Sequence, residues 1–371
     1  MIHFNTAGSG LLSEKTLNLM QGYLQAEHQL GAYEAELDFT AVLEVEVYAN
    51  IARLLGAEAH NIALFDGATK AWVTALDSLT WFEGARVLVT PYEYAGNLIA
   101  LSALHRLYGV VVEVMPLLAN GDLDLAWLAR NISMEVRLVS IVHIPSCCGI
   151  VNDIEGVGNI VRDYPCLYFV DACQSTGILP LKVQDIGCDV LTAAGRKFLC
   201  GPRGTGFAYL SERFLAVAQP RFTDLNRASV NEVGVVSLGG RDARCFEYAE
   251  RNNAAVIGLN QAVKECLANG CGAGLEIYQH LYRTLARAPY VSLIAPGARH
   301  EGIISFIHSR YPAVELVSYL RTQGVNCWSG YSSHTPYYML GRGCERFVRV
   351  SINEKNSLED ADVFMSVLAR Q

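Results

Sequence analysis

Short apolar segments alternate with amphipathic segments through the first two-thirds of this chain. The apolar segments are rich in β-branched and aromatic residues and carry apolar side chains on both faces, which is typical of buried parallel strands. They cover residues 61–65, 86–90, 110–115, 138–143, 166–171, 189–192 and 206–210. Segments with helical periodicity lie between them, at residues 69–79, 96–107 and 156–163. This order predicts an α/β fold with a mostly parallel, seven-stranded sheet.

The pattern changes near residue 245. A long helix is predicted at residues 246–267. Shorter helices and strands are predicted after it, at residues 303–308, 313–323 and 347–352. We therefore predict a large domain over residues 16–244 and a smaller C-terminal α+β domain over residues 245–371. An N-terminal arm, residues 1–15, is expected to join the small domain.

Composition and charge narrow the class of protein. The chain has 371 residues, of which 51% are hydrophobic and 18% charged, so we expect a well-packed globular protein. The formal net charge of −8 argues against a nucleic-acid partner, because phosphate binding requires a basic face. The 11 cysteines lack paired or zinc-type spacing, which favours reduced thiols and no metal site. A signal pattern and long apolar runs are missing, so we expect a cytoplasmic protein that does not enter a membrane.

Two segments carry candidate chemistry. Residues 168–174 form a short apolar strand that ends in Asp171, and residues 195–204 place Lys197 before a turn rich in glycine and proline. Pyridoxal phosphate enzymes need both groups, because a lysine amine forms a Schiff base with the cofactor and a carboxylate keeps its pyridine nitrogen protonated. In parallel sheets, ligands bind at the carboxyl ends of strands, where Asp171 falls. The sequence therefore predicts a pyridoxal-phosphate enzyme.

These segments resemble the aminotransferase class V family of fold-type I pyridoxal-phosphate enzymes, which includes cysteine desulfurases and isopenicillin N epimerase-like proteins. The likeness runs almost end to end, through residues 4–8, 66–69, 171–174, 195–206 and 348–351. Within the family, the lysine segment is most similar to the branch of hercynylcysteine sulfoxide lyase-type carbon–sulfur lyases. The resemblance implies pyridoxal 5′-phosphate as cofactor and a homodimer with its sites at the subunit interface.

The resemblance also implies roles for individual residues at the cofactor. Lys197 is expected to carry the Schiff base and Asp171 to bind the pyridine nitrogen. A solvated surface lysine and a turn carboxylate are the ordinary alternatives. Tyr94 is expected against the pyridine ring, although a core tyrosine would give the same pattern. The other expected cofactor contacts are Gly67, Ala68 and Thr69 at the phosphate, Gln174 at the phenolic oxygen, and Arg196 and Glu250.

Substrate contacts are implied in the same way. Arg349 matches the arginine that clamps the substrate carboxylate, for which its planar guanidinium is suited. Asn5 and Ala7 are expected to contribute backbone contacts to that carboxylate. Aromatic and imidazole side chains could line a pocket for the substrate's distal group, or belong to the core. They are Tyr23, His28, Tyr33, Phe39, Trp328, Tyr331, His334 and Tyr337.

Several reactions compete once such a site holds an amino acid. A desulfurase needs a nucleophilic thiol, but the resemblance places Ser333 at that position, and Cys327 falls in a segment expected to be a buried strand. We therefore predict a carbon–sulfur lyase that eliminates a sulfur group from an S-substituted cysteine or its sulfoxide. A class V aminotransferase, an epimerase and a cysteine desulfurase remain alternatives. A regulatory protein that binds pyridoxal phosphate is the non-enzyme alternative.

Overall fold

The computed structural model describes residues 1–225, 227–240, 242–272 and 274–370. Gln371, the last residue of the predicted small domain, lies outside this range. The strands are β1 Ile2–His3, β2 Ile62–Phe65, β3 Arg86–Val89, β4 Val111–Val114, β5 Val136–Val142, β6 Leu167–Asp171, β7 Val190–Ala194, β8 Gly206–Leu210, β9 Ala228–Val230, β10 Val236–Leu238, β11 Val291–Leu293, β12 Ile303–His308, β13 Val325–Asn326, β14 Trp328–Tyr331 and β15 Arg346–Ser351.

Helices fill most of the sequence between these strands. They are α1 Glu14–Leu30, α2 Ala32–Asp38, α3 Val47–Leu55, α4 Ala68–Asp77, α5 Ala95–Tyr108, α6 Leu125–Asn131, α7 Ile154–Val161, α8 Val183–Ile186, α9 Glu212–Val217, α10 Asn253–Asn269, α11 Leu275–Arg287, α12 Ala313–Thr322, α13 Pro336–Met339 and α14 Leu358–Leu368. Within the described ranges, none of them combines the length and the apolarity needed to cross a membrane.

The larger sheet has seven strands among the described residues, in the order β2-β8-β7-β6-β5-β3-β4. Strand β8 runs antiparallel to both neighbours, and the remaining pairs are parallel. The predicted α/β fold with a mostly parallel seven-stranded sheet is therefore confirmed. Strands β6 and β7 are buried along their whole length, which explains why apolar runs, rather than alternating ones, identified them.

The carboxyl ends of β2, β5, β6 and β7 lie at one edge of this sheet. Strands β5, β6 and β7 are mutually parallel, and β2 shares their direction because both β2 and β7 are antiparallel to β8. This edge is where ligands bind in α/β proteins. The topology therefore brings together four segments that are distant from one another in the sequence, each of which follows one of these strands.

The long helix α10 begins later than the sequence indicates. Helical periodicity predicted a start at residue 246, whereas the helix begins at Asn253, with Asn252 accepting a hydrogen bond from the Ala255 N–H at 2.9 Å. The preceding Glu247 is buried and accepts hydrogen bonds from the Leu64 N–H and the Tyr48 hydroxyl, at 2.7 and 2.8 Å. These distant partners hold the segment in a non-helical path. Helix α10 then packs against α1 and α3.

The C-terminal part contains an antiparallel four-stranded sheet, in the order β11-β12-β15-β14. The N-terminal strand β1 pairs in parallel with β13, and Phe4 is fully buried in the apolar cluster of this part. Asn5 forms an isolated parallel bridge with Ser351 at the end of β15. The first residues of the chain thus pack with the last third of it. The predicted boundaries between arm, large domain and small domain stay predictions.

Candidate active site

A cleft with about 760 Å³ of empty volume lies at the carboxyl edge of the large sheet. Both Lys197 and Asp171 line it. Eight of the nine positions predicted to contact the cofactor line this cleft, although they come from four separate segments of the chain. They are Gly67, Ala68, Thr69, Tyr94, Asp171, Gln174, Arg196 and Lys197.

Lys197 lies in the turn between β7 and β8. The turn is closed by hydrogen bonds from Gly195 N–H to the Thr205 carbonyl at 3.0 Å and from Cys200 N–H to the Lys197 carbonyl at 2.9 Å. Burial lowers the pKa of the Lys197 amine, while the nearby Cys173 and Asp171 act in the opposite direction. A lowered pKa leaves more of the amine uncharged near neutral pH, which a nucleophile requires.

Asp171 is the last residue of β6 and is 7% exposed. Its Oδ1 accepts a hydrogen bond from the Cys173 N–H at 2.9 Å, and its Oδ2 accepts one from the Asn97 amide at 3.4 Å. Its backbone carbonyl accepts a third from the His143 N–H at 2.9 Å. These contacts fix the carboxylate at the cleft. A fixed, buried carboxylate is suited to bind a protonated ring nitrogen.

The start of α4 forms another wall of the cleft. Gly67 occupies the N-cap and has no side chain, so the first N–H groups of the helix are available to a phosphate. Strand β8 approaches this turn closely: a Cβ on Gly206 would lie 2.6 Å from the Ala68 nitrogen. Gly206 therefore has to be glycine for the helix start to sit at the cleft.

Arg196 and Gln174 connect the cleft to the N-terminal segment. The Arg196 guanidinium donates to the Gly8 carbonyl. The Gln174 amide donates to the Ala7 carbonyl at 3.2 Å, and the Ala7 N–H donates to the Ser351 hydroxyl at 2.9 Å. Asn5 forms a β-bridge with the same Ser351 at the end of β15. Predicted cofactor and substrate positions are thus joined in one hydrogen-bonded region.

Arg349 lies on β15 and is 8% exposed. Its Nη1 donates to the Ser146 carbonyl at 3.2 Å, and Ser146 lines the cleft. Within the described part of the chain, no carboxylate forms an ion pair with this guanidinium, and its Nε has no hydrogen-bond partner. Burial lowers its pKa to about 10. A buried cation without an anion is costly, and an anionic ligand would offset that cost.

These features fit pyridoxal phosphate. The buried Oε1 of Gln174 has no hydrogen-bond partner among the described residues, like the Nε of Arg349 and the Oδ1 of Asn5. Buried polar atoms are seldom left unpaired in a finished site. Helix α4 offers N–H donors for a phosphate, Asp171 an acceptor for a ring nitrogen, and Lys197 an amine for an aldehyde. These groups therefore match the phosphate, the ring nitrogen and the aldehyde of this cofactor.

Glu250 lies outside the cleft lining. Its side chain is exposed and lines a neighbouring pocket that shares Asp66, Gly204 and Thr205 with the cleft. Its assignment as a cofactor contact stays a prediction. The buried glutamate of this segment is Glu247, at 7% exposure, which sequence reasoning did not single out.

The expected aromatic pocket is only partly assembled. Tyr94 and His334 have ring centroids 6.4 Å apart, and His334 lies 5.2 Å from Tyr331, so these three rings stand together near the cleft. By contrast, Tyr23 is fully buried and packs edge-on against Phe39 at 5.1 Å in the core. The other candidates have exposed or half-exposed side chains away from the cleft lining, namely His28, Tyr33, Trp328 and Tyr337.

Some lining residues were missed by sequence reasoning. Thr335 reaches the cleft from the C-terminal part, and Ser146 from the loop after β5. Neither lies in a recognisable motif, so only the tertiary structure identifies them. Cys173 also lines the cleft and lies inside the Asp171 segment, between two residues that were assigned roles.

Comparisons with known proteins agree with this geometry. The model of the family described as aminotransferase class-V matches residues 2–364. A probable cysteine desulfurase from Pyrococcus abyssi (strain GE5 / Orsay) is 25% identical over 378 residues, covering 99% of this chain and 93% of that protein.

Solved structures show the same fold. The apo structure of a cysteine desulfurase from Thermococcus onnurineus NA1 has a TM-score of 0.91 at 23% identity, covering 100% of this chain and 94% of that chain. The complex of the cystine C–S lyase C-DES with its reaction product cysteine persulfide has a TM-score of 0.86 at 21% identity, covering 98% of this chain and 96% of that chain. At these identities the likeness supports the fold alone.

Proposed function

Because the chain belongs to the aminotransferase class V family of pyridoxal-phosphate enzymes, we propose that it is a carbon–sulfur lyase acting on an S-substituted L-cysteine or its sulfoxide. The single observation that carries the proposal is Arg349, a buried guanidinium without an ion-pair partner among the described residues, placed behind the cleft that holds Lys197. This arrangement fits a substrate with a carboxylate next to an amine, as in an α-amino acid.

The residues of this chain have distinct tasks in that reaction. Arg349 binds and orients the carboxylate, and Asp171 holds the charge of the ring nitrogen. The bound cofactor supplies the electron sink that makes the Cα proton acidic. Lys197, whose pKa is lowered by burial, accepts that proton through its uncharged amine. The Cβ–S bond then breaks, and sulfur leaves with the bonding electron pair as a thiolate, or as a sulfenate from a sulfoxide. Water converts the remaining three-carbon fragment to pyruvate and ammonium.

Thiol placement favours elimination over sulfur transfer. Ser333 is exposed and does not line the cleft. Cys327 is 3% exposed, and burial raises the pKa of its thiol to about 12. Cys173 is the one thiol in the described cleft lining, and burial together with the Asp171 charge raises its pKa. None of these groups offers the thiolate that would attack a substrate sulfur.

A cysteine desulfurase is the second candidate, favoured by the names of the relatives. Cys173 is then the first thiol to test, rather than Cys327, because only Cys173 reaches the cleft. Cys327→Ser serves as the matched control for Cys173→Ser. Loss of sulfur transfer in the Cys173 variant alone would support this candidate.

The deciding experiment is a product balance. The purified holoenzyme is incubated with S-methyl-L-cysteine sulfoxide, without a keto acid, and pyruvate, ammonia and the sulfur fragment are quantified. Equal amounts of pyruvate and ammonia support elimination. A strict requirement for a keto acid would move the assignment to an aminotransferase, and alanine with protein-bound persulfide from L-cysteine would move it to a desulfurase. Inversion at Cα without bond cleavage would indicate an epimerase, and no turnover at all a regulatory protein.

The working unit is proposed to be a homodimer. Glu250, exposed beside the cleft, lies where a neighbouring chain could contribute to the site. Sedimentation at assay concentration tests this proposal, and a fully active monomer would contradict it.

A further inference from the structure

Glu93 is a fully buried carboxylate directly before α5. Its Oε1 accepts hydrogen bonds from the Tyr94 N–H at 3.0 Å and from the Asn97 amide at 2.8 Å. Its Oε2 accepts one from the Ser140 hydroxyl at 3.0 Å. No lysine or arginine within the described ranges forms an ion pair with it. A buried, unneutralised carboxylate is expensive, and the reaction as described above does not use it.

Asn97 links this carboxylate to the cofactor cleft. Its side-chain nitrogen donates to Glu93 at 2.8 Å and also lies 3.4 Å from the Oδ2 of Asp171. An amide nitrogen carries two hydrogens, so one Asn97 side chain bridges two carboxylates. Asn97 is 1% exposed, which keeps water from replacing either contact. Glu93 therefore determines the orientation of the amide that holds Asp171.

We propose that Glu93, acting through Asn97, is a positioning residue that sets the orientation of Asp171 and thereby controls protonation of the cofactor's pyridine nitrogen. The proposal rests on the assignment of Asp171 to that nitrogen. It is independent of the choice between elimination, sulfur transfer and transamination.

The pKa of Glu93 determines the pH range in which it carries a negative charge behind Asp171. Burial raises the pKa of Glu93 to about 7, and the charge of Asp171 acts in the same direction. Above this pH, an ionised Glu93 adds a second negative charge behind Asp171 and favours the protonated ring nitrogen. Below it, the carboxyl is neutral and that support is lost.

Other titratable groups face the same region. Tyr94 and Cys173 have raised pKa values and stay neutral. The charge of Lys197 interacts with that of Asp171, and Lys197 and Arg196 both act on the neighbouring Cys173. Of these groups, Glu93 is the one hydrogen-bonded to Asn97, which bridges to Asp171, and its pKa is about 7. A change of charge near neutral pH that disappears in Glu93→Gln is therefore assigned to Glu93.

Nitrogen NMR tests the proposal without substrate. The holoenzyme is reconstituted with pyridoxal phosphate labelled with nitrogen-15 in the ring, and the resonance is followed as pH passes through 7. The wild type is expected to show a step near pH 7. Glu93→Gln keeps the acceptor for Asn97 and removes the charge, so the step should vanish and the resonance should remain toward the unprotonated position. Asn97→Ala should weaken the step because the bridge is lost.

Ser140→Ala is the matched control. It removes the hydroxyl whose hydrogen bond to Glu93 lowers the pKa of Glu93. This hydroxyl does not contact Asp171. The step should therefore persist, displaced upward by roughly 0.5 pH unit.

A wild-type resonance without a step near pH 7, or a step that survives in Glu93→Gln, would overturn the proposal. If Glu93→Gln fails to fold, the wild-type titration and Ser140→Ala still decide it. A missing pyruvate product would contradict only the proposed lyase activity, since this resonance is recorded without turnover.

Discussion

Replacement of Arg349 by methionine separates the role of this residue in binding from any role in stability. Its guanidinium is buried, donates to the Ser146 carbonyl at 3.2 Å and has no carboxylate partner among the described residues. Burial lowers its pKa to about 10, well below the ordinary value of an arginine. At about 1.4 kcal/mol per unit, the folded protein tolerates a cost on the order of 3 kcal/mol to keep the charge. Because the folded pKa is depressed, this cost is present below pH 10 and is relieved as pH rises through that value.

Arg349→Met should consequently be at least as stable as the wild type near neutral pH, with a gain of at most about 3 kcal/mol. Its kcat/KM for S-methyl-L-cysteine sulfoxide should fall roughly 30- to 1,000-fold, because a hydrogen-bonded carboxylate–guanidinium pair contributes about 2–4 kcal/mol. Arg346→Met is the matched control. It removes an arginine of the same strand that stacks on Tyr331 and donates to Ser329, a residue outside the cleft lining, at 3.0 Å.

Two measurements check this prediction. Urea unfolding gives the change in stability, and spectral titration compares L-alanine with ethylamine, which lacks the carboxylate. The wild type and Arg346→Met should prefer L-alanine, and Arg349→Met should lose that preference. A loss of several kcal/mol of stability in Arg349→Met, with its preference for L-alanine intact, would refute the reasoning and make Arg349 a structural residue.

Three further predictions concern the other buried groups. Lys197→Ala should keep the circular dichroism of the fold and lose the long-wavelength absorbance of the bound cofactor; borohydride labelling of another lysine would contradict the assignment. Asp171→Asn should retain cofactor and lose turnover by about two orders of magnitude, because an amide does not stabilise a ring cation; near-normal kcat would exclude it as the nitrogen partner. Glu247→Gln should lower the free energy of unfolding by about 1–2 kcal/mol, since it weakens the hydrogen bonds from Leu64 and Tyr48 and removes the longer ionic contacts to Arg244 and Arg251, which keep Glu44, and an unchanged urea midpoint would argue against this.

The sequence was sufficient for the large sheet and for the local motifs of the site. Strands β6 and β7 are buried on both faces, so their apolar composition alone identified them. Asp171 and Lys197 follow these two adjacent strands, and parallel neighbours end at the same edge. The strand-end rule placed Asp171 at this edge, the chemistry of the cofactor paired it with Lys197, and the parallel pairing of β6 and β7 explains why the two segments meet.

The residues that sequence reasoning missed depend on contacts between distant segments. Glu247 and Glu250 are three residues apart in one polar segment, and no local pattern indicates that the first is buried against Leu64 and Tyr48. The aromatic candidates for the substrate pocket could not be separated by sequence for the same reason. Tyr23 belongs to the core, whereas His334 stands beside Tyr94. Side-chain type restricts what a residue can do, and burial selects among those roles only after the chain has folded.

The N-terminal segment shows how the two halves of the site are held together. Ser351, two residues after Arg349, accepts a hydrogen bond from the Ala7 N–H, and the Ala7 carbonyl accepts one from Gln174 in the cofactor cleft. The next residue, Gly8, accepts one from Arg196, beside Lys197. Residues 7 and 8 thus connect β15, which carries Arg349, with the turn that carries Lys197. Any shift of the C-terminal sheet relative to the large sheet must break or move these bonds, so the first residues of the chain couple the position of Arg349 to those of Arg196 and Lys197.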